Sequence, residues 1–136
     1  MVLAMATKEP TKKKYPFNTA CKFAGDIYGS ILQRDSDKAG FDWCVDSLTN
    51  GTVSVRDIVK ELCTSDEFRE KYLMNDSPNE MARKFRQRFL GEAKPKPEDI
   101  KSTAISFLEH DWRKAMRDLL DSPGYTAKYG DDKVPR

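Results

Sequence analysis

The stretch NGTVSVRDIVKELCTSDEF, residues 50–68, holds the end of one helix, a complete second helix and the start of a third. Gly51 can adopt the left-handed conformation that ends a helix at little cost. Ser54 and Asp57 form a capping-box-like start, with Asp in place of the usual Glu. Ser65, followed by two acids, predicts the next N-terminus. Between these caps, the helical period predicts one inward stripe: Val55, Ile58, Val59 and Leu62.

Apolar residues recur with the helical period on both sides of this stretch, and no segment shows the period of two that a sheet requires. The predicted fold is therefore all-α, a compact bundle of about six to eight helices. Asn18 or Thr19 is predicted to cap the first helix. Gly25 and Gly29, four residues apart in that helix, would let another helix approach closely.

The same signals predict the helices in the second half of the chain. Ser77-Pro78 predicts a helix start and Gly91 a stop, with Met81, Ala82, Phe85 and Phe89 buried between them. Pro95 and Pro97 predict a rigid connector, and Asp111 and Ser122 are predicted caps of the last two helices. The helix between the connector and Asp111 is predicted to bury Ile100, Ala104, Ile105 and Leu108.

The two halves correspond at a constant offset of 57 residues. Leu62, Ser65, Phe68 and Tyr72 match the pattern of Leu119, Ser122, Tyr125 and Tyr129. This register predicts an internal duplication in which two helix sets, each too small to fold alone, share one core. The predicted organisation is an extended basic arm over residues 1–16 and one domain over 17–136, with pseudo-repeats at about 17–73 and 77–130.

Length and composition favour one small domain with a charged surface. The chain has 136 residues, of which 38% are hydrophobic and 34% charged, and its net charge is +2. No apolar run reaches the length of a membrane span. The start, Met1–Ala6, is too short for a secretory signal, while a trimmed organelle-targeting remnant would look much the same.

Chemistry-bearing motifs are weak. Cys21, Cys44 and Cys63 are odd in number and widely spaced and lie among apolar neighbours, so buried free thiols and no metal site are expected. Asp35 and Asp37 open a calcium-loop-like pattern that lacks its third ligand and its closing Glu. His110, the only histidine, lies in a polar connection. No enzyme is predicted.

Local charge suggests a docking protein. The basic arm carries Lys8 and Lys12–Lys14. Within the helix after Ser77, residues 81–90 carry no acid and four bases that are expected on the outer face, Arg83, Lys84, Arg86 and Arg88. An acidic protein, a nucleic acid or an anionic membrane would suit such patches. Nearby acidic helices disfavour nucleic acid, so a protein partner is predicted.

Three stretches resemble one family. Residues 50–69 are similar to its "NG-x-(I/V)-S-V-R-(E/D)-F-V-R-x-L-x-x-S-x-x-Y/F" segment, FRQRFLGEA (residues 85–93) to its "F-K-x-L-L-G-R-A" segment, and DSPGYTAKYGDDKVPR (residues 121–136) to its "D-S-x-E-Y-x-x-x-F-G-(D/E)-x-x-V-P-Y" terminus. The family is the linker domain of phycobilisome rod, rod–core and core–membrane linkers, and the resemblance runs from about Phe17 to Arg136. Glu92 and Arg136 depart from it, standing where the family has Arg and Tyr.

The resemblance implies a non-catalytic helical linker that docks phycobiliprotein discs of phycocyanin, phycoerythrin or allophycocyanin and orders the light-harvesting antenna. It implies contact with bilins carried by partners, with none bound covalently to this chain. It also implies a place on the cytoplasmic or stromal face of the thylakoid of a cyanobacterium or algal plastid. The alternative is a small peripheral subunit joining a photosystem or another thylakoid complex to its antenna. The candidate partner-binding residues, with the arginines expected to be exposed and the aromatics expected chiefly in the core, are Arg34, Arg56, Arg83, Arg86, Arg88, Tyr125 and Tyr129.

Overall fold

The computed structural model describes residues 12–109 and 111–135, and over these residues it contains eight helices and no strand. Lys8 and His110 lie outside the described residues, so the predictions made for them are not addressed. The all-α class and the number of helices are confirmed. The helices are α1 Phe17–Ile31, α2 Lys38–Asn50, α3 Val55–Cys63, α4 Asp66–Phe68 with a π-helical turn at Arg69–Leu73, α5 Pro78–Leu90, α6 Pro97–Glu109, α7 Trp112–Leu120 and α8 Pro123–Lys128.

Most helix ends lie where the local sequence placed them. Ser54 and Asp57 form a complete capping box at α3, because each side chain accepts a hydrogen bond from the other residue's backbone N–H. The hydroxyls of Ser65, Ser77 and Ser122 cap α4, α5 and α8. Gly51 and Gly91 end α2 and α5 with φ of 73° and 70°. These predictions are confirmed.

The start of α1 differs from the prediction. The helix begins at Phe17, directly after Pro16, and neither Asn18 nor Thr19 caps it. The carbonyl of Pro16 already accepts the first helical hydrogen bond, from the N–H of Ala20 at 2.9 Å. Because proline presets φ, here −59°, it can precede a helix without a side-chain cap.

One continuous core joins the two halves of the chain. The inward stripe of α3 is buried as predicted, and Ile27 and Ile31 of α1, Phe89 of α5 and Met116 of α7 join it with no exposed surface. Tyr15 also belongs to this core, although it precedes the predicted domain boundary at residue 17. Its backbone N–H donates to the carbonyl of Leu48 at 3.1 Å, which holds the end of the arm against α2.

The close helix approach occurs at a different glycine from those predicted. A Cβ added at Gly25 or Gly29 would meet nothing within 4 Å, because both face outward from α1. A Cβ at Gly40 would lie 2.1 Å from the hydroxyl of Tyr28. Gly40 therefore permits α2 to pack on α1, since the Tyr28 ring is almost fully buried and has little freedom to move.

Helix α6 buries a different face from the one predicted. Thr103, Ala104 and Phe107 are buried, whereas Ile105 is 39% exposed and Leu108 is 68% exposed. The prediction is wrong for Ile105 and Leu108. The ring of Phe107 packs 5.8 Å from that of Phe85 on α5, and this aromatic contact sets the rotation of α6.

Helices α3 and α7 are both nine residues long and begin at Val55 and Trp112, in the register of the proposed duplication. Their neighbours α2 and α6 differ, because Leu48 is fully buried while its counterpart Ile105 is exposed. The duplication itself stays a prediction, as do the domain limits that depend on it.

Two further properties follow from the described residues alone. None of the eight helices combines the length and the apolar character needed to span a bilayer. No three carboxylate, thiol or imidazole side chains within residues 12–109 and 111–135 are grouped to hold a metal ion. Asp37, taken from the calcium-like pattern, instead accepts a hydrogen bond from the N–H of Gly40 and caps α2.

Candidate docking surface

Arg34 lies just after α1 and forms a two-pronged ion pair with Glu67 of α4. Its Nε and Nη2 donate to the two carboxylate oxygens at 2.7 and 2.9 Å. Lys71 donates to the same carboxylate at 2.9 Å and to the carbonyl of Leu32 at 2.6 Å. The hydrogen bonds from Arg34, followed by that from Lys71, lower the pKa of Glu67 to about 2. Arg34 remains partly exposed, but its guanidinium is already hydrogen-bonded to Glu67 of the same chain.

Arg56 is largely enclosed by the C-terminal segment. Its Nε donates to the carbonyl of Gly130 at 3.1 Å and lies 3.2 Å from Asp131, and Nη2 donates to the hydroxyl of Thr126 at 2.9 Å. The guanidinium lies over the Tyr125 ring, 5.2 Å from its centroid. Only 12% of the Arg56 side chain is exposed. The guanidinium therefore joins α3 to the segment that follows α8.

Arg83 and Arg86 are neutralised by neighbouring acids. Arg83 pairs with Glu80 one turn earlier on α5. Arg86 forms a two-pronged pair with Glu92, at 2.9 and 2.6 Å, and donates to the hydroxyl of Thr103 on α6 at 3.0 Å. Its side chain is 17% exposed. Glu92, which departs from the family pattern, thus has a definite internal role.

Arg88 crosses from α5 to the end of α1. Its Nη2 donates to the carbonyl of Ser30 and, at 3.2 Å, to the Ser30 hydroxyl. The Ser30 hydroxyl in turn donates to the carbonyl of Pro135. Tyr129 donates its hydroxyl to the carbonyl of Arg88 at 2.9 Å. These bonds join α1, α5 and the C-terminus at one point.

The arginines of this group share one function within the fold. Arg88 and Arg113 each donate to a carbonyl at the C-terminal end of another helix, where the last carbonyls lack intrahelical partners. Arg56 donates to the carbonyl of Gly130, just beyond the end of α8. A cation there also interacts favourably with the negative end of the helix dipole. Arg113, which the sequence analysis did not single out, donates to the carbonyl of Thr64 at 3.2 Å and to Asp66 at 2.6 Å.

The expectation that the arginines are exposed is therefore wrong for Arg56 and Arg86, since internal partners enclose them. The expectation that the aromatics are chiefly core is confirmed for Tyr125, which has no exposed surface, while Tyr129 is half-buried. Burial raises the pKa of the Tyr125 hydroxyl. The part that any of the seven candidates plays in partner binding stays a prediction.

The cysteines differ in their surroundings. Cys44 and Cys63 have no exposed surface, and Cys21 is half-buried. Burial raises the pKa of Cys44 to about 11 and also raises the pKa of Cys63. Both thiols are therefore protonated at neutral pH, which suppresses the thiolate that a covalent attachment requires.

A second kind of basic surface is a cleft of about 750 Å³ between the first half of α1 and the C-terminal segment. We call it the lysine cleft and define it by Lys22, Phe23, Lys128, Tyr129, Lys133 and Val134. All three lysines are exposed. The lysine ion pairs found among residues 12–109 and 111–135 do not include these three.

The floor of the lysine cleft is held rigidly from below. The Phe23 ring meets Tyr15 edge-on at 5.0 Å, and Tyr129 packs 5.1 Å from buried Tyr125. Tyr15 donates its hydroxyl to Asp132 at 2.8 Å. Burial, followed by this hydrogen bond, raises the pKa of Tyr15 to about 12, so the donor proton is retained at neutral pH.

Sequence reasoning missed the lysine cleft because its three lysines lie at positions 22, 128 and 133, each among neighbours of mixed charge. Only the return of the C-terminal segment to α1 brings them together. The one local signal was Tyr129, which the sequence analysis already named as a candidate partner-binding residue.

Comparisons with known proteins place this geometry in context. The chain matches the family described as Phycobilisome Linker polypeptide over residues 22–136, which includes every helix except the first turn of α1. It is 31% identical over 88 residues to a phycobilisome rod-core linker polypeptide of Thermosynechococcus vestitus, which covers 65% of this chain and 36% of that protein.

Two other relatives are similar at the same level. The phycobiliprotein ApcE of a Nostoc species is 32% identical over 89 residues, covering 65% of this chain and 8% of that protein. A phycocyanin-associated 32.3 kDa rod linker polypeptide of a Picosynechococcus species is 28% identical over 87 residues, covering 64% of this chain and 30% of that protein. The chain thus spans about a third or less of the length of these relatives.

Proposed function

The chain belongs to the phycobilisome linker polypeptide family, and from this premise we propose that it is a non-catalytic linker that docks phycobiliprotein discs and helps to order the light-harvesting antenna. The observation that carries the proposal is the family match over residues 22–136, which takes in nearly the whole helical core. The names of the relatives, a rod-core linker and a phycocyanin-associated rod linker, support the same role.

The physical character of the fold supports a docking role. Helix ends are held by arginines from other helices, so the backbone is fixed by side chains that lie far apart in sequence. A surface kept rigid before binding loses little conformational entropy when a partner is bound. Exposed lysines and apolar side chains then remain for contact with other proteins.

The proposed site of action is the cytoplasmic or stromal face of the thylakoid in a cyanobacterium or algal plastid. We expect no covalent bilin on this chain, and at Cys44 and Cys63 burial and protonation oppose its attachment. Contact with bilins carried by partner proteins is part of the same proposal. Docking to a photosystem instead of a phycobiliprotein is the alternative that the experiment must separate.

The test is capture from solubilised thylakoids with the tagged full chain as bait. We expect phycobiliprotein subunits to be captured, identified by their bilin absorbance and by mass spectrometry. Phe68→Asp serves as the control, because a carboxylate at a position without exposed surface disrupts the fold and should abolish specific capture. Capture of photosystem subunits without phycobiliproteins would overturn the proposal in favour of the alternative.

A further inference from the structure

The lysine cleft differs from the arginine contacts described above because it is concave and because none of the ion pairs found among residues 12–109 and 111–135 involves its lysines. Elsewhere, Arg34, Arg56, Arg86 and Arg113 each form an ion pair within the chain. Around the cleft, three ammonium groups surround an apolar floor in a concave space of about 750 Å³. A concave, mostly apolar site with a few convergent polar groups is the usual form of a binding site.

The floor is suited to an apolar side chain. Val134 is 8% exposed and fixed by its neighbour Pro135, whose carbonyl accepts from Ser30. Tyr129 is fixed by its hydrogen bond to the carbonyl of Arg88, and Phe23 is fixed by Tyr15. The Lys128 ammonium already lies 5.4 Å from the centroid of the Tyr129 ring, which positions it at the edge of this floor.

The charges of the cleft indicate the chemistry of the occupant. Three exposed lysines attract carboxylates. Two acids, Asp26 and Asp132, also line the cleft, and Asp132 accepts from the Tyr15 hydroxyl. The Asp132 carboxylate interrupts the positive charge of the cleft, which disfavours the continuous negative charge of a lipid surface or of a phosphate backbone. A protein segment can place spaced acidic side chains against the lysines and an apolar side chain on the floor, so it suits both features of the cleft.

We propose that the lysine cleft binds an acidic protein segment, with an apolar side chain of that segment on the Phe23, Tyr129 and Val134 floor and its carboxylates on Lys22, Lys128 and Lys133. This inference rests on the proposed docking function and names the surface and partner chemistry that such docking would use. The cleft lysines supply orientation and rate of encounter, while the floor supplies apolar burial.

The test measures binding of a fluorescein-labelled peptide of alternating Glu and Asp with a central Leu-Phe pair to the full chain, by fluorescence anisotropy. A charge-matched peptide with Ser-Ser at the centre should bind more weakly, because it has no side chain for the floor. The triple variant Lys22→Met/Lys128→Met/Lys133→Met keeps most of the apolar length of each side chain and removes the charges. We expect it to weaken binding about tenfold, as three exposed ion pairs of about 0.5 kcal/mol each would give.

The matched control is Lys94→Met/Lys96→Met/Lys101→Met, which removes the same charge from exposed lysines before and within α6. This variant should bind the peptide within about twofold of the wild type, since exposed charges beyond a Debye length are screened. Equal losses in the two triple variants would overturn the proposal, because net charge alone would then explain binding. Equal affinity for the two peptides would also overturn it.

Parallel measurements test two other possible occupants of the cleft. Phosphatidylserine vesicles that bind through the three cleft lysines, while the peptide does not, would replace the proposal with a lipid surface. A concentration-dependent dimer in sedimentation that the cleft triple variant abolishes would replace it with a second copy of the chain.

Purified phycobiliprotein separates this inference from the proposed function. If the wild type and the cleft triple variant bind phycobiliprotein equally, the cleft inference fails and the docking function stands. If the wild type binds no phycobiliprotein, the docking function fails, and the peptide measurements alone decide whether the cleft recognises acidic segments.

Discussion

The arginines and the lysine cleft are both basic, yet they serve opposite purposes in this chain. Arg56, Arg88 and Arg113 turn inward and donate hydrogen bonds to carbonyls at or just beyond the C-terminal ends of other helices. The cleft lysines extend into solvent around an apolar floor. The planar fork of arginine offers several donors for such internal contacts. Lys71 also holds a carbonyl and a carboxylate at once, so the place of a side chain in the fold matters as much as its type. Positive charge on a helix is therefore a poor guide to where a partner binds.

The largest effect on stability is expected for Arg56→Met, which tests the inward role of the arginines. The change removes the hydrogen bonds to Gly130 and Thr126 and the pair with Asp131, so we expect the free energy of unfolding to fall by about 2–3 kcal/mol. Urea unfolding followed by far-UV circular dichroism measures it. Arg56→Lys keeps the charge without the fork and should recover less than half of the loss. Full recovery by Lys would contradict the distinction between the two residue types.

Arg113→Met tests an arginine that is more exposed, with 39% of its side chain accessible. Its bonds to Thr64 and Asp66 are weakened by solvent, so we expect a loss of about 1 kcal/mol. The same urea titration applies. Lys114→Met, at a neighbouring and more exposed position on α7, should change stability by no more than about 0.5 kcal/mol. A loss for Lys114→Met equal to that for Arg113→Met would show that inward contacts are not the cause.

The Arg34–Glu67 pair sharpens the comparison through pH. Since the pKa of Glu67 is lowered to about 2 in the folded chain, its contribution to stability is present above about 4.5 and is lost as pH falls toward about 2. Glu67→Gln should therefore be less stable than the wild type at pH 7, by less than about 1 kcal/mol because the pair is partly exposed. The difference should shrink between about pH 4.5 and 2, as measured by thermal unfolding.

A double-mutant cycle supplies the control for that prediction. The coupling between Arg34→Met and Glu67→Gln should be measurable at pH 7 and near zero close to pH 2, where the carboxylate takes up its proton. A coupling that is constant over this pH range would mean that the contact is not an ion pair in solution.

The smallest expected effect belongs to the cleft itself. Lys22→Met/Lys128→Met/Lys133→Met should change the free energy of unfolding by no more than about 0.5 kcal/mol, because none of the ion pairs found among the described residues involves these lysines. The thermal midpoint and the urea midpoint both report it. A loss comparable with that of Arg56→Met would mean that the cleft lysines also hold the fold together.

Much of the fold could be predicted because its signals are local. Ser54, Ser77 and Ser122 cap helices within three residues of themselves, and Gly51 and Gly91 adopt the positive φ that few other residues tolerate. The buried stripe of α3 was predicted correctly because its apolar residues fall on a single face, so no other face of the helix could pack inward. In such segments the sequence pattern and the structure depend on the same few neighbouring residues.

Prediction failed where two faces competed. In α6, Ile105 and Leu108 form as plausible a stripe as Thr103 and Phe107, and the choice depends on where Phe85 of α5 lies. The lack of room for a side chain at Gly40 likewise depends on the Tyr28 ring of another helix, whereas Gly25 and Gly29 face open space. These outcomes required knowledge of a neighbour far along the chain.

The sequence by itself determined that the chain is helical, where most helices begin and end, and to which family it belongs, because caps, helical period and motif order are properties of neighbouring residues. Only the tertiary structure decided which charges are used internally and which remain for a partner. An ion pair such as Arg56–Asp131, or a cleft formed by Lys22 and Lys133, exists only after distant segments have packed together. No local pattern carries that information, since side chains of the same type serve both purposes.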